Sequence, residues 1–344
     1  MKVIVGMSGG IDSSMTAYLL KRQGYEVEGL SLTLFETRGR RDPKSCCSLE
    51  AIEDARRTAD FIGIPHRAID ARDRFIDSVI TPFIDSYKNG LTPNPCILCN
   101  RHIKFPILLE EADRTGADFI ATGHYARVED GFLKKGIDDK KDQSYVLYAL
   151  SKTLLKRLLL PLGVYKKDDI RIMAREIGLP VFNRPESQEI CFVEGRDYTP
   201  IIETISADSI KEGDIVNTEG KVLGRHNGVH RFTIGQRKGL GVNSLVPLYV
   251  VRIDPKTNTV YVGDKEDAMR RGLRVEGLNM FLDKGDVFRS DVKIRSMMRP
   301  RPAMVYIKDG GAIVEFDEPE FAPAPGQAAV FYDGDVVIGG GTIG

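Results

Sequence analysis

The first 200 residues alternate short apolar runs with longer stretches in which apolar residues recur every three or four positions. The apolar runs predict buried strands at residues 1–7, 26–35, 66–69 and 119–125. The periodic stretches predict helices at residues 15–22, 49–62, 75–87 and 101–114. Strands that alternate with such helices indicate a parallel sheet covered on both faces. Ligands bind at the carboxyl ends of the strands in sheets of this kind.

The pattern changes after about residue 200, where short alternating runs separated by glycine turns replace the helical periodicity. These runs predict central strands at residues 222–223, 231–234, 248–253 and 259–262. From about residue 270 every run predicts a strand, with Asp-Gly hairpin turns at 309–310 and 333–334. Short strands at this spacing are typical of a small closed barrel. We therefore predict an α/β fold class, with a Rossmann-like parallel-sheet domain at 1–200, a small central domain at 201–268 and a C-terminal β-barrel at 269–344.

The sequence Ser-Gly-Gly-Ile-Asp-Ser-Ser at 8–14 separates the first predicted strand from the first predicted helix. Two glycines allow a tight turn that brings backbone N–H groups close to an anion. The start of the helix adds unpaired N–H groups and the positive end of the helix dipole. The serine hydroxyls can donate further hydrogen bonds, and Asp12 could face a phosphate-bound Mg²⁺. This stretch predicts a nucleotide site; a tight turn without a ligand is the alternative.

The loop differs from two better-known phosphate-binding sequences. It contains no G-K-S or G-K-T, so no lysine of the Walker A type is present, and it is not G-x-G-x-x-G. S-G-G-x-D-S-S after an N-terminal strand instead resembles the PP-loop of the N-type ATP pyrophosphatases, which split ATP into AMP and pyrophosphate.

Charge and hydropathy narrow the class of protein. Lys plus Arg and Asp plus Glu each number 49, so the net charge is zero, which argues against non-specific coating of nucleic acid. Basic residues nevertheless cluster at 38–44, 134–135, 140–141, 231–238 and 293–301, as an extended cradle for an RNA backbone requires. No signal peptide and no apolar stretch approaching about 18 residues is visible, so we predict a cytoplasmic protein with no membrane partner.

Three of the five cysteines lie in informative contexts. Cys96 and Cys99 form a C-x-x-C pair in a proline-rich loop before a predicted helix, whose dipole favours a thiolate. Cys191 follows Gln-Glu-Ile. Three interpretations remain open: a zinc site with a fourth ligand such as His102, three ligands of a 4Fe–4S cluster, or reacting thiols that pass through a transient disulfide. Cys46 and Cys47 receive no role.

Four motifs occur in order along the chain: S-G-G-I-D-S-S, T-P-N-P-x-x-x-C-N-x-x-I-K-F, A-T-G-H-Y and S-Q-E-I-C-F. Together with P-G-Q-x-A-V-F-Y at 325–332, they resemble the MnmA family of tRNA-specific 2-thiouridylases. The resemblance implies a PP-loop catalytic domain, a small middle domain and a C-terminal barrel. It also implies that AMP is transferred from ATP to the O2 oxygen of the wobble uridine of tRNA, pyrophosphate is released, and sulfur then replaces the oxygen at C2.

The same resemblance implies roles for single residues. Cys99 would be the nucleophile and Cys191 the carrier of a persulfide, and the two would close a disulfide during turnover. The ATP-binding residues would be Gly6, Met7, Ser8, Gly9, Gly10, Ile11, Asp12, Ser13, Leu32 and Gly123. Asn94, Pro95 and Cys96 would lie against the target base. Further tRNA contacts would come from His124, Lys141, Asp142, Gln143, Arg295, Ser296 and Gln327. The implied cofactors are ATP and Mg²⁺, and the implied partners are tRNA and a sulfur-carrier protein or cysteine desulfurase.

Two departures from the family pattern keep alternatives open. Many members carry Asp where this chain has Cys96, and the resulting C-x-x-C favours a 4Fe–4S cluster on Cys96, Cys99 and Cys191. Ser296-Met297-Met298 lacks the aromatic residue of the family pattern. His124 could instead be bonded within the fold, and residues 141–143 could form a solvated turn. The competing functions are another PP-loop ligase or tRNA sulfurtransferase and a nucleotide-binding module without chemistry.

Overall fold

The computed structural model of the chain describes residues 1–35, 49–185, 190–193, 195 and 197–344. The chain divides into two compact units. The first comprises Met1–Val79, Cys96–Arg196 and Asp335–Val337, and the second comprises Ile80–Pro95, Asp197–Gly334 and Ile338–Gly344. A segment from the first third of the chain therefore belongs to the same unit as most of its C-terminal part. The predicted boundaries at 200 and 268 stay predictions.

A parallel sheet forms the centre of the first unit, as its apolar runs predict. Its strands are β1 (Lys2–Gly6), β2 (Glu26–Thr33), β3 (His66–Asp70), β4 (Phe119–Ala121) and β7 (Leu158–Leu159). They lie in the order β3-β2-β1-β4-β7, and each described neighbour pair is parallel. The strand order reverses between β1 and β4, and open α/β sheets bind ligands at such a switch point. An antiparallel hairpin that is not part of this parallel sheet consists of β5 (Ala126–Glu129) and β6 (Phe132–Lys135).

Helices cover both faces of this sheet. They are α1 (Ile11–Arg22), α2 (Leu49–Ile62), α3 (Arg72–Phe75), α5 (Pro95–Cys99), α6 (Phe105–Thr115), α7 (Ser144–Leu147), α8 (Lys152–Leu155) and α9 (Lys167–Glu176). π-Helical segments at Ile76–Ile80 and Asn100–Lys104 follow α3 and α5, and a 3₁₀ turn spans Pro161–Val164. One face of α1 packs with Val3, Val27 and Ala55, and the other packs with Tyr125 and Ile170, so α1 is buried on two sides.

The second unit contains α4 (Thr81–Lys88) and α10 (Thr199–Ile205), with 3₁₀ turns at Ala207–Ser209, Val229–Arg231 and Glu266–Ala268. A four-stranded sheet follows, with strands β8 (Gly213–Asn217), β9 (Val222–His226), β10 (Tyr249–Asp254) and β11 (Thr259–Gly263) in the order β10-β11-β8-β9. The predicted strand at 231–234 is wrong: the chain turns there, and Phe232 and Ile234 fill the core of this sheet as turn residues.

The C-terminal part forms a closed antiparallel barrel, as predicted. Its strands are β12 (Met269–Met280), β13 (Val287–Lys293), β14 (Arg301–Lys308), β15 (Gly311–Phe321), β16 (Ala328–Asp333) and β17 (Val336–Ile343). They follow the order β12-β15-β14-β13-β16-β17, and a β12–β17 pairing closes the ring. Val305, Val314, Phe331 and Ile338 are fully or almost fully buried inside it. Within the described ranges, no helix has the length and apolar character needed to cross a bilayer.

Candidate functional site

The PP-loop lies at the switch point of the parallel sheet. It connects the carboxyl end of β1 to α1, while Leu32 lies near the carboxyl end of β2 and Gly123 follows β4. Residues predicted from distant parts of the sequence therefore meet at one edge of the sheet. Gly9 has φ +71°, and a Cβ there would lie 2.1 Å from the carbonyl oxygen of Ala51 on α2, so only glycine fits.

Hydrogen bonds to strand β2 fix the first part of the loop. The Met7 N–H donates to the Leu30 carbonyl at 2.8 Å, and the Ser31 hydroxyl donates to the Met7 carbonyl at 2.7 Å. The Ser31 oxygen also lies 2.8 Å from His66 Nε2. Burial lowers the pKa of His66 below its usual range, so this imidazole is neutral near pH 7. The hydroxyl network thus fixes where the loop leaves the sheet.

Two serines shape the second part of the loop. The Ser8 N–H donates to Ser13 Oγ at 3.1 Å, and Ser13 Oγ donates to the Gly10 carbonyl at 3.1 Å. Ser8 is exposed, whereas Ser13 is buried. The side chain of Ser13 therefore braces the turn from inside, and Ser8 remains accessible to a ligand. Gly10 is the N-cap of α1 and makes no side-chain cap, which leaves the first N–H groups of the helix for an anion.

The Asp12 carboxylate, in the first turn of α1, is paired with two side chains from other parts of the chain. Lys167 Nζ donates to both carboxylate oxygens of Asp12, at 2.5 and 2.6 Å, and the Tyr125 hydroxyl donates to Oδ1 at 2.8 Å. Lys167 is only 4% exposed and is the first residue of α9. The carboxylate predicted to face a phosphate-bound Mg²⁺ is thus neutralised by a buried ammonium. Asp12 in this state does not fit a direct metal ligand.

A second charged pair meets the loop on the opposite side. Arg184 Nη1 donates to the Gly9 carbonyl at 3.2 Å and also contacts the carboxylate of Asp54. Asp54 lies on α2, is 7% exposed and also pairs with Arg57. Arg184, seven residues before Cys191 in the sequence, therefore holds its part of the chain to the nucleotide loop.

The loop before the C-x-x-C pair is held in the second unit. The Thr92 N–H donates to the Pro325 carbonyl at 2.7 Å, and Gln327 Nε2 donates to the Thr92 carbonyl at 3.1 Å. Asn94 is half-buried and Pro95 is buried. The side-chain amide of Gln327, which is predicted to contact tRNA, thus donates a hydrogen bond to this loop. Its contact with tRNA stays a prediction.

The two thiols of the C-x-x-C pair differ in exposure. Cys96 lies in the first turn of α5 and is exposed, whereas Cys99 ends that helix and is buried, with 8% exposure. The next residue, Asn100, is 2% exposed, and its Nδ2 donates to the Val146 carbonyl at 3.0 Å. This bond anchors the start of the π-helical segment immediately after Cys99.

Cys191 lies in a short turn of the first unit. The Val193 N–H donates to the Ile190 carbonyl at 3.0 Å, and the ring of Phe192 packs edge-on against Phe75 of α3, with centroids 5.7 Å apart. Cys191 itself is half-buried. Phe192 therefore attaches the cysteine-bearing turn to the helical layer.

No disulfide links Cys96, Cys99 or Cys191, all of which are described. Among the described residues, no group of three His, Cys, Asp or Glu side chains is gathered closely enough to hold a metal ion. The three cysteines in this arrangement therefore do not fit a 4Fe–4S cluster, and a zinc site with His102 is not assembled either. Cys46, Cys47 and the basic stretch at 38–44 lie outside the described residues.

The remaining residues predicted to contact tRNA mostly bond within the protein. His124 is 8% exposed, its Nδ1 lies 2.7 Å from Thr122 Oγ1, and its ring stacks on Phe105. Gln143 Oε1 accepts from the Tyr125 N–H at 3.0 Å, and Arg295 Nη2 donates to the Ala322 carbonyl at 2.8 Å. Three others are half-buried: Lys141, Asp142 and Ser296. Their proposed contacts with tRNA stay predictions.

Sequence reasoning missed the side chains that complete the nucleotide loop. Lys167 and Arg184 lie 155 and 175 residues from their partners Asp12 and Gly9. No local sequence pattern predicts either contact, because each depends on how distant elements pack on α1 and α2. Tyr125 could have been predicted as a site residue from the sequence, since it ends the A-T-G-H-Y motif that contains Gly123.

Comparisons with known proteins cover the whole chain. Residues 1–195 match a family model described as "tRNA methyl transferase HUP domain", residues 202–264 one described as "tRNA methyl transferase PRC-barrel domain", and residues 270–343 one described as "Aminomethyltransferase beta-barrel domain". A curated protein of Clostridioides difficile strain 630, "tRNA-specific 2-thiouridylase MnmA", is 45% identical over 99% of this chain and 98% of its own length. "tRNA-specific 2-thiouridylase MnmA 1" of Caldanaerobacter subterraneus subsp. tengcongensis is 47% identical over 99% of this chain and 97% of its own.

Solved structures give weaker likenesses. A "4-thiouridine synthetase - RNA complex with bound ATP" has a TM-score of 0.38 and 20% identity, over 60% of this chain and 50% of the other. A "predicted subunit of tRNA methyltransferase" from Methanocaldococcus jannaschii has a TM-score of 0.36 and 19% identity, over 60% of this chain and 87% of the other. Scores this low leave the assignment of a family to the sequence comparisons.

Proposed function

The chain belongs to the MnmA family of tRNA-specific 2-thiouridylases, and on that premise we propose that it exchanges the O2 oxygen of the wobble uridine of tRNA for sulfur in an ATP-dependent reaction. The observation that carries this function is the identity of 45% and 47% with two such enzymes over 99% of the chain. The site adds a reason for the use of ATP: an anion-binding loop lies at the switch point of a parallel sheet.

The first step activates the base. The uridine O2 attacks the α-phosphorus of ATP, a new O–P bond forms, and the bond to the bridging oxygen breaks, so pyrophosphate leaves with the electron pair. The free N–H groups at the start of α1 and the hydroxyl of Ser8 stabilise the charge on the phosphates. The uridine must leave the anticodon stack to reach this edge of the sheet. Its oxygen is then part of an AMP ester, which is a good leaving group.

The second step delivers sulfur. Cys191 carries a persulfide, and the Cys99 thiolate attacks the inner sulfur of Cys191. The outer sulfur leaves with the electron pair and attacks C2, and AMP departs with the original oxygen. Cys99 and Cys191 are left as a disulfide, which a thiol reductant must open before the next turnover. The exposure difference supports these roles: Cys191 is half-buried and so partly accessible to a protein donor, whereas Cys99 is buried.

This chemistry implies partners. The persulfide sulfur comes from a sulfur-carrier protein or a cysteine desulfurase, and the second substrate is tRNA in the cytoplasm. ATP enters as its Mg²⁺ complex. Asp12, as long as it is paired with Lys167, does not fit a ligand of that ion, so no step is assigned to the metal. A 4Fe–4S cluster on Cys96, Cys99 and Cys191 is the alternative sulfur carrier, and the arrangement described above does not assemble it.

Serine variants of the three cysteines test the proposal. Cys99→Ser and Cys191→Ser should each abolish 2-thiouridine in tRNA, measured by mass spectrometry of digested nucleosides. Both should retain tRNA-dependent exchange between ATP and pyrophosphate, because adenylation precedes sulfur transfer. A normal 2-thiouridine content in either variant contradicts the assigned roles.

Cys96→Ser separates the two sulfur carriers. Partial thiolation supports the persulfide route, since Cys96 carries no sulfur in it and would only lie against the base. Complete loss, together with loss of iron absorbance from protein purified without oxygen, supports the cluster. Methyl transfer, which the names of two family models suggest, predicts incorporation from S-adenosylmethionine and no need for ATP. Thiolated cytidine in place of uridine points to another PP-loop sulfurtransferase.

A further inference from the structure

The nucleotide loop contains no lysine, yet a lysine reaches it from another part of the chain. Walker-type loops carry a lysine that acts as a point charge on the phosphates, and S-G-G-I-D-S-S has none. Lys167 supplies an ammonium to the first turn of α1, where Nζ lies 2.5 and 2.6 Å from the two oxygens of Asp12. The functional loop therefore acquires its cation through folding.

The backbone around Lys167 fixes the position of this ammonium. The Lys167 N–H donates to Asp138 Oδ2 at 3.0 Å, which anchors the start of α9. Ile170 and Ala174, one and two turns later, pack with Ile11 and Met15 of α1 in one buried cluster. The helix that carries Lys167 is thus packed directly on the helix that follows the loop, which fixes the backbone from which Nζ reaches the first turn of α1.

The side chain is oriented by two further groups. Tyr125 donates its hydroxyl to Asp12 Oδ1 at 2.8 Å, and Lys167 Nζ lies 5.5 Å from the centre of the Tyr125 ring. The Lys167 side chain is 6% exposed and the Asp12 side chain 30% exposed, so the pair meets solvent through the carboxylate. A ligand that approaches the first turn of α1 encounters Asp12 and the ammonium behind it.

Charge explains why this pair belongs to the ligand site. A carboxylate at the start of a helix occupies the place that favours anions and repels an incoming phosphate. Neutralisation by Lys167 removes that repulsion. The polyphosphate of ATP carries more negative charge than one carboxylate, so a phosphate oxygen can take over one of the ammonium's hydrogen bonds while another stays on Asp12. An ion pair that only stabilised the fold could lie anywhere in the protein. This pair lies at the N-terminus of the helix that follows the phosphate-binding loop, which favours a role in ligand binding.

We propose that Lys167 is a catalytic residue of the nucleotide site, which binds the phosphates of ATP and stabilises the departing pyrophosphate, and that Asp12 and Tyr125 are its positioning residues. This inference rests on the proposed function for the identity of the reaction. In that step, the ammonium donates hydrogen bonds to phosphate oxygens while the bond between the α-phosphorus and the bridging oxygen breaks. No proton leaves Lys167, and pyrophosphate takes the electron pair.

Substitution of Lys167 tests the inference, with the adjacent exposed Lys166 as a matched control. Lys167→Met should weaken ATP binding, measured by calorimetric titration of the full-length protein with ATP, by about 10- to 100-fold, the range expected for loss of a hydrogen bond to a charged group. It should lower kcat for tRNA-dependent ATP–pyrophosphate exchange and leave the affinity for tRNA unchanged. Lys167→Arg should recover part of the exchange rate, and Lys166→Met should match the wild type.

A double variant distinguishes catalysis from a purely structural pair. Lys167→Met leaves Asp12 without its cation and lowers the melting temperature, whereas Asp12→Asn combined with Lys167→Met leaves no unpaired charge and should restore it. If Lys167 acts on ATP, the restored protein still binds ATP weakly and still fails in exchange. ATP binding of wild-type strength in the restored double variant overturns the inference.

The same titrations separate this inference from the proposed function. A wild-type protein that binds ATP but shows no tRNA-dependent exchange refutes the adenylation of uridine. The comparison of ATP affinity between the wild type and the Lys167 variants still decides whether Lys167 binds the phosphates.

Discussion

His124 illustrates how burial changes what a single motif residue does. Its ring is stacked on Phe105, and burial, aided by the charge of Lys104, lowers its pKa well below the usual 6.5. The folded protein therefore keeps this imidazole neutral at a pH where the unfolded chain has bound a proton. Where the unfolded state binds more protons, stability falls as pH falls, so the contribution of His124 is complete above pH 6.5 and declines below it.

We predict that His124→Asn weakens this acid sensitivity. Asparagine can still bond with Thr122 but does not titrate. The free energy of unfolding of the wild type should decrease from pH 6.5 to pH 5 by up to about 1.4 kcal/mol per pH unit more steeply than that of the variant. Urea unfolding at several pH values measures both slopes. The pKa values of His66, His102 and His226 are also lowered, but these residues titrate in both proteins and cancel in the difference; equal slopes contradict the prediction.

Asp12 marks the limit of sequence reasoning at the residue scale. Its place in the first turn of α1 follows from the strand-loop-helix pattern, and the structure confirms that place. Its partner Lys167 could not be predicted, because the contact forms only when α9 packs on α1. Motif positions thus locate the site, whereas the charges that decide its chemistry come from tertiary packing.

At the scale of elements, Gly123 determines how closely β4 approaches α1. A Cβ at this position would lie 2.8 Å from the carbonyl carbon of Asp12 and 2.9 Å from the nitrogen of Ser13. Both are backbone atoms at the start of the helix, so the helix itself must shift to admit a methyl group. We predict that Gly123→Ala costs about 1–3 kcal/mol of stability and weakens ATP binding, because the anion-binding N–H groups move with the helix.

The control for this prediction is Gly116→Ala. Gly116 is the left-handed C-cap of α6, with φ +67°, and a Cβ there meets no atom within 4 Å. This variant should lose about 1 kcal/mol through backbone strain and bind ATP normally. Urea unfolding and ATP titration of both variants check the contrast. Normal ATP binding by Gly123→Ala means that the close approach of β4 does not matter for the site.

Helix boundaries show which details of the elements escape prediction. The periodicity predicts helices at 75–87 and 101–114, and the structure has helical backbone in both ranges. However, each contains a π-helical segment, Ile76–Ile80 or Asn100–Lys104, that ends two residues before a proline, Pro82 or Pro106. Proline lacks the N–H that an α-helix requires four residues after each carbonyl. The turn before it therefore adopts π-helical hydrogen bonds, which join residues five apart. Periodicity alone does not distinguish the two kinds of helix.

The strand predicted at 231–234, which the structure lacks, also has a local explanation. Alternation of polar and apolar residues there predicts a strand, but glycines with positive φ lie on both sides, Gly228 at 138° and Gly235 at 84°. The chain therefore turns at each end, and Phe232 and Ile234 are buried without a strand partner. Alternation indicates which side chains are buried more reliably than it indicates the pairing of the backbone.

At the scale of the whole molecule, the order of patterns predicts the three architectures but not how the chain is shared between units. Residues 80–95 lie in sequence between β3 and β4 of the first unit's sheet, yet they belong to the second unit. Within that unit Tyr87 stacks on Tyr198 with centroids 4.1 Å apart, and the Thr92 N–H donates to the Pro325 carbonyl. Partners more than 100 residues apart leave no signature in a local pattern.

This sharing predicts that a fragment ending at residue 200 is incomplete. Its segment 80–95 lacks Pro325 and Gln327, which bond to Thr92, and Asp208, whose carboxylate pairs with Lys88 at 2.8 Å. Hydrogen–deuterium exchange followed by mass spectrometry should show amides at 80–95 protected in the full chain and exposed in the fragment. Amides of α6 serve as an internal control, because that helix packs on β1 and β4 within the first unit and should stay protected in both. Protection of 80–95 in the fragment as strong as in the full chain would mean that residues 1–200 fold as an independent domain, as the sequence pattern alone suggests.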